Sequence, residues 1–241
     1  MARTISFALG NIWRWSRARN RNSLLAHIRK LEVDGVELTF SSKEELYNFK
    51  LSNENEKWLR NLSYVTIHAP FSMVRRAENE EEVIRQLVFI DRLYKKIKAK
   101  NVVIHPEDLP SPKILNKFNF NVSTENLPKK KKVSIAKLRK ILKKYPRIGL
   151  CLDISHAYLW SKHETRKLVS AFGKRITQIH FSGTYKKKDH QSLRAVSRDF
   201  MLSIRPVFRL NAPIVIEEDI RTKSARFLRE EVDFIRSMFG E

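Results

Sequence analysis

Eight short apolar runs, at 4–9, 35–40, 64–69, 102–105, 120–125, 148–153, 176–181 and 214–217, divide the chain, and a stretch of helical character follows each. Three of those stretches read clearly by period. Val83, Leu87, Ile90, Tyr94 and Ile97 form one stripe, Ile135, Leu138, Leu142 and Tyr145 a second, and Leu228, Val232, Ile235 and Phe239 a third. Apolar residues three and four apart line one face of a helix. Weaker helical signals cover 23–31, 43–62, 112–118, 164–172 and 193–205, the last stopped by Pro206, because proline cannot continue a helix. The runs themselves are too short for helices and several are apolar nearly throughout, as strands are when helices cover their sheet. Strand and helix in alternation require a parallel sheet, and eight of each is the count of a closed (β/α)8 barrel. The expected fold class is therefore α/β, a TIM barrel occupying 1–241 as one domain. An open doubly wound sheet would need a glycine-rich phosphate loop after an early strand; none is present, and the chain has only six glycines. The one low-complexity run, Lys129 to Lys132, falls between a strand and a helix and marks no domain boundary.

Ionisable residues recur where these strands end: Glu37, His68, His105, Glu125, Asp153 with His156, His180, and Glu217, with His190 in the loop after the seventh strand. In a barrel those ends converge on the face where active sites form. Any one of these histidines alone reads most simply as structural. Packed together, several ionisable groups repel or lose their hydration unless something pairs them. A divalent cation is the simplest partner, and imidazoles with carboxylates suit Zn²⁺ first, with Mn²⁺ or Fe²⁺ as alternatives. Asp153 and His156 are three apart, a spacing that strand pleating does not point one way. The strand must end at Asp153 and turn there for both to reach one mouth.

A formal net charge of +22 attracts polyanions without deciding the fold. The loops after strands carry Trp13, Arg14, Trp15, Arg17, Arg75, Arg76, Lys129, Lys130, Lys186, Lys187 and Lys188. Cations for phosphates among aromatics that stack on bases are the equipment of a nucleic-acid groove, here expected for duplex DNA. Trp13 and Trp15 equally suit packing against the barrel mouth. The helical segments 94–100 and 137–144 are also very basic, so the charge is enriched on the mouth but not confined to it. The lone cysteine, Cys151, lies in an apolar run and rules out a disulfide framework, which points to a reducing, cytoplasmic setting. No apolar segment approaches the roughly 20 residues of a membrane span, and no protein partner can be inferred.

His68-Ala69-Pro70, His105-Pro106, Glu125-Asn126, Asp153-x-x-His156, His180 and Glu217, in this order on strands three to eight, resemble the endonuclease IV family of abasic-site endonucleases. That family lies within the xylose isomerase-like barrel superfamily, and the resemblance runs over about 35–218. It implies a hydrolase that incises DNA at abasic sites through two or three metal ions. His68, His105 and Glu125 would hold one ion, and Glu125 would bridge to a second held by Asp153, His180 and Glu217. His156 and His190 would belong to a third, with Glu125 and Glu217 as the catalytic carboxylates; Glu37, by its place at a strand end and not by the resemblance, is a further pocket residue. Two departures stand out. Lys188-Asp189-His190 puts lysine where the family has the third ion's aspartate, so either Asp189 is recruited or the Lys188 ammonium supplies part of the missing charge. Leu127-Pro128 followed by four lysines replaces a small, glycine-bearing segment. Two other readings stay open: a sugar isomerase or epimerase with one divalent ion on Glu125, Asp153, His180 and Glu217, and a nucleic-acid-binding protein whose catalysis has decayed.

Overall fold

The computed structural model describes residues 3–16 and 20–240. Among the described residues ten strands form: β1 Ile5–Ala8, β2 Gly35–Thr39, β3 Tyr64–His68, β4 Asn101–Ile104, β5 Val122–Glu125, β6 Gly149–Asp153, β7 Ile176–Phe181, β8 Gly183–Tyr185, β9 Lys188–Gln191 and β10 Ile214–Ile216. Eight of them close a parallel barrel in the order β1-β10-β7-β6-β5-β4-β3-β2, the (β/α)8 architecture that the alternation predicts. β8 and β9 stand apart as an antiparallel ribbon after the seventh barrel strand.

Beneath the nearly continuous apolar runs lies a period of two. One face of each strand, including Ile5, Phe7, Val36, Leu38, Ile67, Ile104, Leu152, Phe181 and Ile216, joins the hydrophobic core under the helices. The other face turns into the barrel and is largely polar, with Ala8, Val103, Cys151 and Val215 as its apolar members. Gln178 on β7 donates to Glu37 Oε2 on β2 (2.9 Å) and accepts from Asn101 on β4 (2.8 Å) and from Tyr64 on β3 (3.2 Å). Ser123 on β5 donates to Asn101 (3.1 Å), and Thr66 on β3 donates to Glu37 (2.9 Å). Since β7 pairs only with β6 and β10, its bonds to β2, β3 and β4 must cross the barrel interior. Mutual hydrogen bonding keeps these buried groups from costing their desolvation.

Gly35 allows this closure. A Cβ there would lie 1.8 Å from Tyr64 O and 2.3 Å from Ser6 Oγ, backbone and side chain of the two flanking strands, neither free to retreat. Gly35→Ala is expected to cost at least the roughly 1–3 kcal/mol of an overpacked core, read as a lower denaturation midpoint; an unshifted midpoint would show that the strands can part.

Side-chain caps start the main helices. Asn79 accepts from Glu82 N ahead of Glu80–Ile97, Ser134 from Lys137 N ahead of Ile135–Lys144, and Ser224 from Phe227 N ahead of Ala225–Met238, each satisfying an otherwise orphaned amide. Caps also explain where longer helices are broken. The stretch expected over 43–62 divides into Lys43–Tyr47 and Asn53–Asn61, because Ser52 caps a new start. The stretch expected over 193–205 becomes a 3-10 turn and the helix Arg198–Ser203, started by Ser197. Among the described residues, no helix is long and apolar enough to cross a membrane.

Candidate metal centre and its mouth

Barrel closure brings the strand ends together around Glu125, the last residue of β5. Its Oε2 lies 3.5 Å from His68 Nε2, 3.6 Å from His105 Nε2 and 3.7 Å from His180 Nδ1, and its Oε1 lies 2.9 Å from His156 Nδ1. Three sets of ligand-type atoms each fall within 4.8 Å: His68, His105 and Glu125; Glu125, Asp153, His180 and Glu217; and Asp153, His156 and His190. Glu125 belongs to two sets and Asp153 to two, so the eight metal-ligand candidates of the sequence form one continuous cluster.

The turn after Asp153 explains its partnership with His156. Asp153 Oδ1 caps the helix Ile154–Trp160, accepting from His156 N (2.6 Å) and Ser155 Oγ (2.8 Å). The cap folds the chain so that His156 Nδ1 returns to within 3.4 Å of Asp153 Oδ2. Asn126 fixes the adjoining strand end, donating to Asp153 O (2.8 Å) and accepting from Asp153 N (2.9 Å).

Each of four imidazoles has one nitrogen held by an oxygen that can only accept. His68 Nδ1 donates to Ala69 O, His156 Nδ1 to Asn126 O and His190 Nδ1 to Glu217 O, all at 3.0 Å, and His180 Nε2 to Glu37 Oε2 at 3.4 Å. In the neutral ring the opposite nitrogen of each then carries the lone pair, the tautomer a metal ligand needs. Three buried atoms in the cluster lack a hydrogen-bond partner: Asp153 Oδ2, His180 Nδ1 and Glu217 Oε2. The last two approach to 2.7 Å, but out of line for a hydrogen bond. Buried orphans of this kind call for an explanation, and a cation coordinated by all three supplies one, so the residues fit a divalent metal.

Electrostatics agree with that fit. Burial opposes charge on Glu125 and Glu217, yet His156 and His68 hold Glu125 well below the ordinary carboxylate range, and His180 with His190 brings Glu217 down to about 2. Burial also opposes charge on His156, but Asp153 and Glu125 outweigh it and raise its pKa to about 10. His105 goes the other way, lowered to about 4 chiefly by burial, so it stands neutral near pH 7. Without a metal, the cluster thus keeps protons on some imidazoles to balance its carboxylates.

Glu37 lies inside the barrel beneath the cluster, fully buried. Of the candidate ligands it reaches only His180 at hydrogen-bonding distance, so it orients a ligand and does not itself coordinate. Glu37→Gln is expected to weaken metal binding about 10- to 100-fold, the usual effect of losing such a support. Competition with a chromogenic chelator reads this directly, and an unchanged affinity would count against the role.

The ribbon β8–β9 carries Lys188, Asp189 and His190 to the edge of the cluster. Lys186 and Lys187 take left-handed φ of 47° and 62°, the pair of conformations a tight hairpin turn demands. His190 is left-handed as well, at 53°. Lys188 is exposed, and Asp189 turns in, its Oδ2 3.6 Å from His156 Nε2. Of the two residues, Asp189 is thus the one that approaches the cluster, although it belongs to none of the three ligand sets.

Beside the cluster, meeting it at His190 and Glu217, opens a cleft of about 910 Å³ lined also by Trp13, Arg14, Phe71, Tyr185 and Lys188. A second cleft of about 640 Å³ shares Tyr185 and Asp189 with it and adds Lys129, Lys130, Lys186 and Lys187. Of the four exposed large hydrophobic residues among those described, Trp13, Phe71 and Tyr185 line the first cleft. Phe71 and Tyr185 escape the sequence reading, although Phe71 directly follows His68-Ala69-Pro70 and Tyr185 directly precedes the lysine run. One expected nucleic-acid contact needs correction. Trp15 is buried, packed edge-to-face on His27 at 5.2 Å, because the 3-10 helix Leu9–Trp15 folds it into the core. Arg75 is held by Glu107 (2.8 Å) and Asp108 (3.3 Å), and neither it nor Arg76 lines either cleft. Arg14 does reach the mouth, paired with Asp219 and stacked 4.1 Å over the Trp13 ring. Arg17 lies outside the described residues.

A profile of the family described as xylose isomerase-like TIM barrel matches residues 25–238. No curated protein matches the sequence significantly. Among solved structures, endonuclease IV from Thermus thermophilus is 17% identical, with 98% of this chain and 99% of that one covered and a TM-score of 0.68. A 3-keto-D-glucoside 4-epimerase from E. coli is 12% identical over 98% and 99% of the chains, with a TM-score of 0.69. A D-tagatose 3-epimerase-like protein is 18% identical over 98% and 99%, with a TM-score of 0.65. At these identities the likeness is one of fold, and function has to be argued from the site.

Proposed function

The chain belongs to the xylose isomerase-like TIM barrel family, and from that premise we propose that it is a metal-dependent phosphodiesterase that incises DNA beside abasic sites in the cytoplasm. One observation carries the reading: the cluster holds His68, His105, His156 and His190 in addition to the four residues that a single-ion sugar enzyme would use. Those extra imidazoles have a purpose if two or three ions are bound. Bound ions would stabilise charge on a phosphate's oxygens and activate water. The chain's own groups would do the rest. Glu125 joins two ligand sets, while Glu217, held ionised, would accept a hydrogen bond from a water and orient it. Arg14, Lys129, Lys130 and Lys186 to Lys188 would meet phosphates, and Trp13, Phe71 and Tyr185 offer rings on which exposed bases stack. Incubation of the Zn²⁺- or Mn²⁺-loaded protein with duplex DNA carrying one abasic site tests this: a strand break at the lesion is expected, and intact strands in every metal would refute it.

A second reading, a sugar isomerase or epimerase, is favoured by the set Glu125, Asp153, His180 and Glu217, which is complete by itself. The number of ions per chain discriminates, one for the epimerase and two or three for the nuclease. A decayed, binding-only protein has less support, since Lys188, which suggested it, is exposed while Asp189 reaches His156.

A further inference from the structure

Charge is distributed unevenly around the barrel's outer wall. From 109 to 188 the only acidic residues are Glu125, Asp153 and Glu164, and all three are buried. Every acid or base exposed on this part of the surface, histidine aside, is consequently Lys or Arg. The other half is mixed: the helix Glu80–Ile97 opens with three glutamates, and Lys95 pairs with Asp91, Lys96 with Glu56 and Arg226 with Glu230. A uniformly lysine-rich surface would intersperse acids throughout, so composition alone does not account for the asymmetry.

The helix Ile135–Lys144 shows what this arrangement costs. Lys137, Arg139, Lys140, Lys143 and Lys144 are all exposed, and none makes an ion pair among the described residues. Residues 137/140 and 140/143 are three apart and 139/143 and 140/144 four apart, so like charges are neighbours along the helix. Each such pair opposes helix formation by about 0.2–0.5 kcal/mol, which folding gives no reason to retain. A polyanion supplied from outside would offset it. The strip is also continuous with the mouth: Lys129 and Lys130 line the second cleft, and the helix leads from there back along the barrel for about 15 Å. On the helix Glu164–Phe172, which follows the neighbouring strand β6, Arg166 and Lys167 are exposed as well. Of the exposed large hydrophobic residues among those described, only Tyr185 falls within 109–188, at the cleft, and none is on the helices Ile135–Lys144 or Glu164–Phe172, whereas a lipid surface is held by apolar anchors among the cations.

We propose that this wall is a second nucleic-acid surface, catalytically silent, on which Lys137, Lys140 and Lys144 with their neighbours grip the phosphate backbone of duplex DNA without regard to sequence or lesion. The proposal deepens the nuclease reading by naming how the chain stays on DNA, but it depends on charge placement and not on incision. Phosphate contacts release counterions, so each one lost lowers the salt slope of log K by about 0.9. In the full, metal-loaded protein, the triple variant Lys137→Glu/Lys140→Glu/Lys144→Glu should bind an undamaged duplex at least about tenfold more weakly near 0.1 M salt, with a slope shallower by roughly 2–3. Its metal content and its turnover of a short abasic duplex that fills only the mouth should match the parent, and its melting temperature should not fall. The corresponding Gln variant should shift binding in the same direction by less. Unchanged affinity and slope overturn the proposal, as does a parent protein that binds phosphatidylserine vesicles and not duplex. If no form incises DNA, the nuclease reading fails, and the duplex comparison still decides the wall.

Discussion

Glu125→Gln should reduce incision by at least about a thousandfold, since metal-borne stabilisation of the transition state is worth several kcal/mol and each 1.36 kcal/mol is tenfold. The amide keeps the size of the carboxylate but not its charge, and it can no longer serve two ligand sets at once. Four imidazoles lie within 3.7 Å of its oxygens, so no other residue compensates. Ion content should fall alongside activity, because the set with His68 and His105 retains no other carboxylate. Single-turnover incision and elemental analysis of the same preparation check both, and a rate within tenfold of the parent would sink the assigned role.

Removal of metal should have the largest effect on stability. A ligand at about a thousand times its Kd contributes about 4 kcal/mol, and for a chain of this length each kcal/mol moves the melting temperature by about 2–4 °C. Chelation is therefore expected to lower it by about 8–16 °C. The pH dependence has a definite sign. In the metal-free protein His156 has a pKa raised to about 10, above its ordinary 6.5. Its proton stabilises the folded chelated form fully below about 6.5, and that contribution is lost as pH rises through about 10. Binding of metal has to displace the same proton, so the gap between loaded and chelated protein should widen across that window. Melting curves of both forms from mildly acidic to alkaline pH measure it; a gap that stays constant, or chelation without effect, would contradict the assignment.

Much of this was legible in the residues. The alternation of runs and stripes yields the barrel because eight crossovers leave a parallel sheet few other closures. The ligand cluster was legible because its members sit at strand ends, where position in the fold follows from position in the run. Less could be read where orientation depends on one or two backbone angles. Asp189 reaches His156 on a ribbon whose turn is Lys186-Lys187, not the Asn-Gly that announces a hairpin, and His190 is left-handed without being glycine. Trp15 and Trp13 are two apart, yet a single 3-10 segment buries one and exposes the other. The polar interior was hidden as well: Asn101, Ser123 and Gln178 look like interruptions of apolar runs until their bonds across the barrel are seen.

Seven of the eight clustered residues stand at barrel-strand ends or within one helical turn of them, whereas the rings and ammonium groups around the cleft belong to the connecting segments. The molecule thus separates a conservative frame from a replaceable fringe. A lineage can keep the frame and redraw the fringe without disturbing how the barrel closes, since loops tolerate change that packed strands do not. That division is compatible with solved barrels described as endonuclease and as epimerase superposing on this chain equally well at 12–18% identity, and it locates this chain's individuality in its lysine-rich rim.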